Sequence, residues 1–152
     1  MSGKIGTPWA KSGFITPSDH AQHIWAFTTD TGWINPGAKV PWTSIEQDLD
    51  GCCDVSTDLF TAPVDGIYLF WGSYYINNNN NTTYLYVYIN GSSTNYCAAG
   101  DNVFGENGSD SNDDSTANPS ITLKLNAGDT MYWHLDGEIY TGHSMAGGCR
   151  IG

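Results

Sequence analysis

The sequence predicts an all-β protein built as a sandwich or a jelly roll, and three observations lead to that prediction. Short segments of apolar or alternating residues recur along the 152-residue chain, which is the pattern of strands. Turn-forming pairs separate these segments, and the chain contains 18 glycines and 6 prolines. No segment shows the apolar period of about 3.6 residues that a helix requires. About nine or ten short strands at this spacing are typical of a sandwich or a jelly roll.

The first part of the chain divides into an arm and a series of short strands. Residues 1–23 are rich in Gly, Pro, Ser and Thr with isolated apolar residues, so they predict an extended arm ahead of a single domain over residues 24–152. The turn "NPGAK" separates the first two strands of that domain. Strands are predicted at residues 24–28, 40–45, 53–55 and 59–61.

The stretch "FTAPVDGIYLF", residues 60–70, makes a turn and then enters a strand that is apolar on both faces. Pro63 and the Asp65-Gly66 pair favour the turn, because proline sets φ and glycine accepts a positive φ. Side chains alternate along a strand. One face of the strand would carry Ile67, Leu69 and Trp71, and the other Tyr68, Phe70, Tyr74 and Ile76. Neither face suits water, so each must be covered.

The second half of the chain continues the strand pattern. Asn90-Gly91 is a strong hairpin signal. The strand before it, residues 84–89, alternates between two sets. Leu85, Val87 and Ile89 are predicted to point inward, and Tyr84, Tyr86 and Tyr88 to lie on the other face. Further strands are predicted at residues 94–99, 120–125, 130–136 and 144–152, with an exposed acidic loop at residues 101–116.

The charge balance excludes some classes of partner. Five Lys and Arg stand against 16 Asp and Glu, a formal net charge of −11, which would repel nucleic acid. No apolar run reaches the roughly 18 residues of a membrane span, and the first residues lack the apolar region of a secretory signal. We therefore expect a soluble chain with reduced cysteines at positions 52, 53, 97 and 149. Adjacent Cys52 and Cys53 would point to opposite faces of a strand, which disfavours a bond between them.

Three blocks in order resemble the globular heads of the first subcomponent of complement, within the tumour-necrosis-factor-like superfamily. They are "FTAPVDGIYLF", "LKLNAGDTMYWHL" and the terminal "SMAGGCRIG". The resemblance covers residues 24–152. The chain departs from the family pattern at Met145 and Ala146, where an aromatic residue is usual, and it carries no collagenous Gly-x-y stalk.

The resemblance implies a ten-stranded jelly roll that associates as a threefold homotrimer, with one sheet facing the axis. A strand that is apolar on both faces would then have a core side and a subunit side. The carried-over positions define the fold and are not catalytic: Phe60, Pro63, Gly66, Gly128 and Asp129. The residues expected in the trimer interface or core are Tyr68, Phe70, Tyr74, Tyr84, Tyr86 and Tyr88.

The sequence offers no convincing catalytic set, so we expect a protein that is not an enzyme. It lacks a Gly-x-Ser-x-Gly elbow and a glycine-rich phosphate loop with a lysine. Its carboxylates cluster in loops, unlike a glycosidase pair. His20 and His23 have only Asp19 nearby in sequence, whereas zinc needs three or four ligands. Packing or surface roles are the better interpretation of these histidines.

Calcium is the one cofactor that the sequence raises. Asp110, Asp113 and Asp114 supply the hard oxygen ligands that calcium takes in groups of about six to eight. Their spacing does not fit an EF-hand loop, and acidic loops are usually only solvated. An exposed loop without metal is therefore the main prediction, and a calcium site is the alternative.

The function predicted from these features is that of a non-enzymatic structural protein of a virus particle, a trimeric decoration protein on a phage capsid. The chain would assemble in the host cytoplasm and lie on the virion surface, bound to the major capsid protein or to another virion protein. The apolar residues of the arm would dock it: Ile5, Trp9, Phe14 and Ile15. The alternative is a trimeric head that binds a receptor or a host-surface glycan through Trp and Tyr platforms, at a fibre tip or as a soluble complement-like ligand.

Overall fold

The computed structural model of the protein describes residues 23–26, 32–34, 37–76, 84–100 and 115–152. All regular secondary structure in these ranges is β, as the sequence predicts. In this part of the chain no helix has the length and apolarity to cross a membrane. In chain order the strands are β1 (His23–Ala26), β2 (Trp33–Ile34), β3 (Ala38–Lys39), β4 (Ser44–Asp48), β5 (Cys53–Asp54), β6 (Leu59–Thr61), β7 (Gly66–Ile76), β8 (Tyr84–Ile89), β9 (Ser92–Gly100), β10 (Ser115–Ala117), β11 (Ser120–Leu125), β12 (Thr130–Asp136) and β13 (Ile139–Arg150).

The strands form two antiparallel sheets. The seven-stranded sheet has the order β10-β7-β13-β1-β4, with β11 also paired to β7 and β2 to β13. The six-stranded sheet has the order β5-β6-β12-β8-β9, with β3 also paired to β12. Strand β4 lies at one edge of the seven-stranded sheet, and the next strand, β5, lies at one edge of the six-stranded sheet. The chain therefore crosses from one sheet to the other between them.

Strand β7 supplies a large part of the core from one of its faces. Its burial alternates along its length, with Tyr68, Phe70 and Tyr74 all inaccessible to solvent. The residues between them, Leu69 and Trp71 among others, are only partly buried. The period of two predicted for this strand therefore separates a core face from an outer face.

Aromatic side chains join the two sheets across the core. The ring of Phe60 on β6 meets Tyr68 and Phe70 of β7 edge-on, at centroid distances of 5.4 and 5.0 Å. Further along β7, the ring of Tyr74 lies 5.9 Å from that of Trp133 on β12 and 6.0 Å from that of Trp42. Edge-to-face pairs of this kind stabilise a core by about 0.5–1.5 kcal/mol beyond their buried area.

Several strand boundaries differ from the prediction. Residues 40–45 are not one strand, because β3 ends at Lys39 and β4 begins at Ser44. Strand β10 occupies the end of the predicted 101–116 loop, and β13 begins at Ile139, before the predicted start at 144. Each missed segment is short or interrupted, so its strand character comes from pairing with β7, β12 or β13 and not from its own pattern.

Two buried tyrosines of β7 differ in their hydrogen bonding. The Tyr68 hydroxyl donates to the carbonyl oxygen of Val64 at 2.7 Å. The Tyr74 hydroxyl has no partner among the described residues, and burial raises the pKa of Tyr74 well above its ordinary value. The ring of Tyr74 also covers Gly72, where an added Cβ would lie 2.2 Å from the ring. Tyr74 therefore contributes through its ring, while Tyr68 contributes through both ring and hydroxyl.

We expect Tyr74→Phe to leave the free energy of unfolding unchanged or to raise it, because the substitution removes a buried hydroxyl without a partner. The matched change Tyr68→Phe removes a hydrogen bond and should lower that free energy by about 1 kcal/mol. Urea unfolding followed by tryptophan fluorescence measures both values. A clear loss of stability in Tyr74→Phe would contradict this account of its hydroxyl.

Candidate interaction surfaces

The outer face of the seven-stranded sheet carries a band of large apolar side chains, here called the outer stripe. Trp33 and Met145 are 39% and 38% exposed, and the other members are partly buried. The stripe comprises Leu69, Trp71 and Tyr75 on β7, Tyr140 and Met145 on β13, and Trp33 on β2. These positions face away from the core because β7 alternates and because β13 pairs Tyr140 with Tyr75 and Met145 with Ser73, which both lie on the outer face of β7.

Three aromatic members of the stripe, Trp33, Tyr75 and Tyr140, pack against one another. The ring of Trp33 stacks on Tyr75 at a centroid distance of 5.8 Å and meets Tyr140 edge-on at 5.4 Å. His143 adds an edge contact to Tyr75 at 5.6 Å. Strand β2 holds Trp33 there, since the amide of Thr141 donates to the carbonyl oxygen of Gly32 at 3.0 Å. The cluster is thus preorganised within one chain.

A bulge in β13 shapes this end of the stripe. The register with β7 shifts between Tyr140 and Met145. Ser144 fills the irregularity, because its hydroxyl donates to the carbonyl oxygen of Tyr140 at 2.8 Å and accepts from the amide of Tyr75 at 3.2 Å. The backbone groups that the bulge leaves over therefore find partners.

The opposite outer face, on the six-stranded sheet, carries a second aromatic set, here called the tyrosine ladder. Its members are Tyr84, Tyr86 and Tyr88 on β8 and Tyr132 and His134 on β12. The register places Tyr132 opposite Tyr88 and His134 opposite Tyr86. Directly opposite side chains of an antiparallel pair share one face. The alternation predicted for β8 is therefore present, with Leu85 and Val87 buried beneath.

The rings of the ladder cover one another. Tyr88 stacks on Tyr132 at 5.0 Å and on His134 at 4.7 Å. The Nζ of Lys39 lies 5.1 Å from the centre of the Tyr132 ring and donates to the carbonyl oxygen of Thr57 at 2.8 Å. Burial raises the pKa of Tyr132. The ladder therefore offers ring edges and hydroxyls more readily than free ring faces.

The residues predicted for the trimer interface or core fall into two groups. Tyr68, Phe70 and Tyr74 lie wholly in the core, so they have no surface to offer a second subunit. Tyr84, Tyr86 and Tyr88 lie on the outer face of the other sheet. Trp33, Tyr75 and Tyr140 are surface residues that were not predicted. Alternation along β7 from Leu69 through Trp71 would have identified Tyr75.

The predicted fold-defining positions lie at or beside turns and at the sheet contact. Pro63 is exposed in the turn before β7. Gly66 has no room for a side chain, because an added Cβ would lie 2.5 Å from Nε of Arg150 and 2.7 Å from the carbonyl oxygen of Gly152. Gly128 has a φ of +86°, which favours glycine.

Asp129 connects two turns at one end of the sandwich. Its carboxylate accepts from the amide of Asn126 at 2.7 Å and from the side chain of Asn90 at 2.8 Å. Asn90 in turn accepts from the amide of Thr130 at 2.9 Å. The Asn90 and Asn126 hydrogen bonds lower the pKa of Asp129, because they stabilise the ionised carboxylate.

Two sets of predicted residues lie outside the described residues. They are the arm residues Ile5, Trp9, Phe14 and Ile15 and the acidic residues Asp110, Asp113 and Asp114. Docking by the arm and calcium binding by the acidic loop therefore stay predictions. Among the described cysteines, Cys52, Cys53 and Cys149 are free thiols.

Comparison with solved structures shows a shared fold. The globular domain of the zebrafish complement 1qA protein has a TM-score of 0.65 at 15% identity, covering 87% of this chain and 98% of that domain. The Eiger TNF of S. frugiperda has a TM-score of 0.62 at 11% identity, with coverages of 88% and 93%. Murine APRIL has a TM-score of 0.60 at 11% identity, with coverages of 87% and 99%. The jelly-roll prediction is confirmed at the level of the fold.

Comparisons with protein-family models and with curated protein sequences find no match.

The depressed pKa of Asp129 predicts a pH-dependent role in stability. Its contribution should be complete above the unfolded value of about 4 and be lost as pH falls through the lower folded value. Asp129→Asn should therefore melt at a lower temperature than the wild type at pH 7, and the difference should disappear in acid. Thermal melting across pH measures this. Asp136→Asn, at the far end of β12, removes the same charge as a control, and an equal effect there would contradict the prediction.

Proposed function

We propose that this chain is a non-enzymatic assembly and binding module that forms a homotrimer through its outer stripe. The observation that best supports this proposal is the preorganised aromatic band on the outer face of the seven-stranded sheet, in a chain of net charge −11. Contiguous apolar surface of this kind is typical of protein interfaces. A permanent interface would bury more than about 2,000 Å² in total.

The shared fold supports this assignment of the two faces. The resemblance implies a threefold trimer with one sheet towards the axis. The seven-stranded sheet fits that position better, because its central strands β7 and β13 carry the stripe while β11 at its margin presents the polar residues Ser120, Thr122 and Lys124. An apolar centre with a polar rim is the usual anatomy of an interface.

The tyrosine ladder would then face outward and bind a partner. Tyrosine supplies large contact area with a polar tip and is enriched at binding surfaces. A glycan that stacks on aromatic platforms needs free ring faces, but Tyr88 is covered by Tyr132 and His134. This geometry supports a protein partner over a host-surface glycan for the ladder.

The surface of a virus particle is the setting that we propose for this trimer, as a capsid decoration protein. Two features of the sequence support it. The arm carries apolar anchors at Ile5, Trp9, Phe14 and Ile15 without a strand pattern, and such a segment gains order on a partner surface. The acidic body would keep neighbouring trimers apart by repulsion. The major capsid protein, or another virion protein, would be the partner of the arm.

We expect Tyr75→Glu to dissociate the trimer, because it buries an unpaired charge in the subunit contact. Tyr86→Glu is the matched control on the ladder, and it should leave the trimer intact. Light scattering on purified protein measures the mass of each species against the 16.5 kDa chain. A wild type that is monomeric at micromolar concentration, or a trimer lost only in Tyr86→Glu, would contradict the proposed interface.

Deletion of residues 1–18 should leave a folded trimer that no longer attaches to capsid shells. Co-sedimentation with shells of the cognate major capsid protein measures attachment. Full-length Tyr86→Glu keeps the arm and should still attach, which separates the arm from the ladder. If the truncated trimer decorates shells as well as the full chain does, the arm has no docking role and the receptor-binding head becomes the better function.

A further inference from the structure

Three potential metal ligands meet where the chain crosses between the sheets. One ligand atom from each of Asp48, Cys52 and Cys53 lies within 4.8 Å of the other two. Asp48 ends β4, at the edge of the seven-stranded sheet, and Cys53 begins β5, at the edge of the six-stranded sheet. Cys52 is buried, and the other two residues are partly buried. The cluster is thus a corner of the sandwich and not a patch of scattered surface acids.

The carboxylate of Asp48 is held in place by the backbone of the corner. Its Oδ1 accepts from the amide of Cys52 at 2.9 Å, and its Oδ2 accepts from the amide of Cys53 at 3.0 Å. The thiol of Cys52 also donates to Oδ1, at 3.1 Å. These contacts orient the carboxylate towards the buried thiol.

The spacing fits a tetrahedral cation with thiolate and carboxylate ligands. Bonds of about 2.3 Å to sulfur and about 2.0 Å to oxygen place sulfur and oxygen about 3.5 Å apart, and two sulfurs about 3.8 Å apart. The observed 3.1 Å between Sγ of Cys52 and Oδ1 of Asp48 is about 0.4 Å shorter than that value, so the two atoms would have to move apart slightly to bind one cation. Thiolates favour zinc over calcium or magnesium.

We propose that Asp48, Cys52 and Cys53 form a zinc site that pins β4 to β5. Three protein ligands leave the fourth position of a tetrahedral cation to water or to another group. Binding would release the protons of both thiols to solvent as two Zn–S bonds form. This site is separate from the outer stripe and the tyrosine ladder, so it does not depend on the proposed trimer.

The chemistry of the thiols gives the site a pH dependence. A cysteine binds a cation as its thiolate, so the cation must displace a proton from each thiol and its affinity should increase as pH rises. Because the folded chain holds the three ligands in one fixed arrangement, zinc should bind it more tightly than it binds the unfolded chain and should raise the melting temperature in a concentration-dependent way.

Titration of the reduced full chain with Co²⁺ tests the proposal. We expect one equivalent to bind with a thiolate-to-cobalt charge-transfer band, and Zn²⁺ to displace it. Cys53→Ser should weaken binding by more than about tenfold, and Cys52→Ser should do the same. Asp48→Asn should shift the cobalt spectrum and weaken binding. Cys149→Ser is the matched control, and it should bind as the wild type does.

Circular dichroism and thermal melting without metal establish that each variant is folded. If Cys52→Ser does not fold, the partly exposed Cys53 still provides the test. Absence of a one-to-one charge-transfer complex in the wild type would overturn the proposal. Survival of the band in the Cys52→Ser/Cys53→Ser double variant, or its loss in Cys149→Ser, would overturn it equally. In those cases Asp48 only closes the corner through its hydrogen bonds.

Discussion

The contact of Phe60 with Tyr68 and Phe70 is the interaction on which the two-sheet structure depends most. Phe60 comes from β6 of the six-stranded sheet, and the two rings it meets come from β7 of the other. Strand β7 also pairs with β10, β11 and β13, so displacement of its inner face would disturb most of its sheet. Truncation of a buried phenylalanine to alanine costs about 3–5 kcal/mol, a large share of the roughly 5–15 kcal/mol that separates folded from unfolded domains.

This constraint explains why the surfaces are arranged as they are. Because every inward position of β7 is committed to the core, only the alternate positions remain for other contacts. They carry Leu69, Trp71 and Tyr75, and pairing with β13 adds Tyr140 and Met145 to the same face. The two apolar faces of β7 thus have separate roles. One face holds the sheets together, and the other forms the stripe that we propose for subunit assembly.

The sequence predicted best what depends on local pattern. The strand bounds at 59–61, 120–125 and 130–136 are confirmed, and Asn90 and Gly91 adopt the positive φ values of 52° and 74° that their hairpin signal implied. Strands β2 and β10, of two and three residues, show no apolar alternation in the sequence, so they could not be found without their partners. Trp33 lies on β2, so its place in the outer stripe could not be predicted from the sequence either.

The Asp48 corner shows how the alternation rule fails at the end of a strand. Alternation separates Cys52 from Cys53, but β5 begins at Cys53, so Cys52 lies outside the regular strand and its thiol turns to Asp48. No cysteine lies near His23 in the sequence. In the structure, β1 pairs with β4, and His23 is the backbone register partner of Asp48. The chain crosses from one sheet to the other at this corner, because β4 and β5 both lie at sheet edges. This corner can therefore hold the proposed zinc site independently of both the outer stripe and the tyrosine ladder.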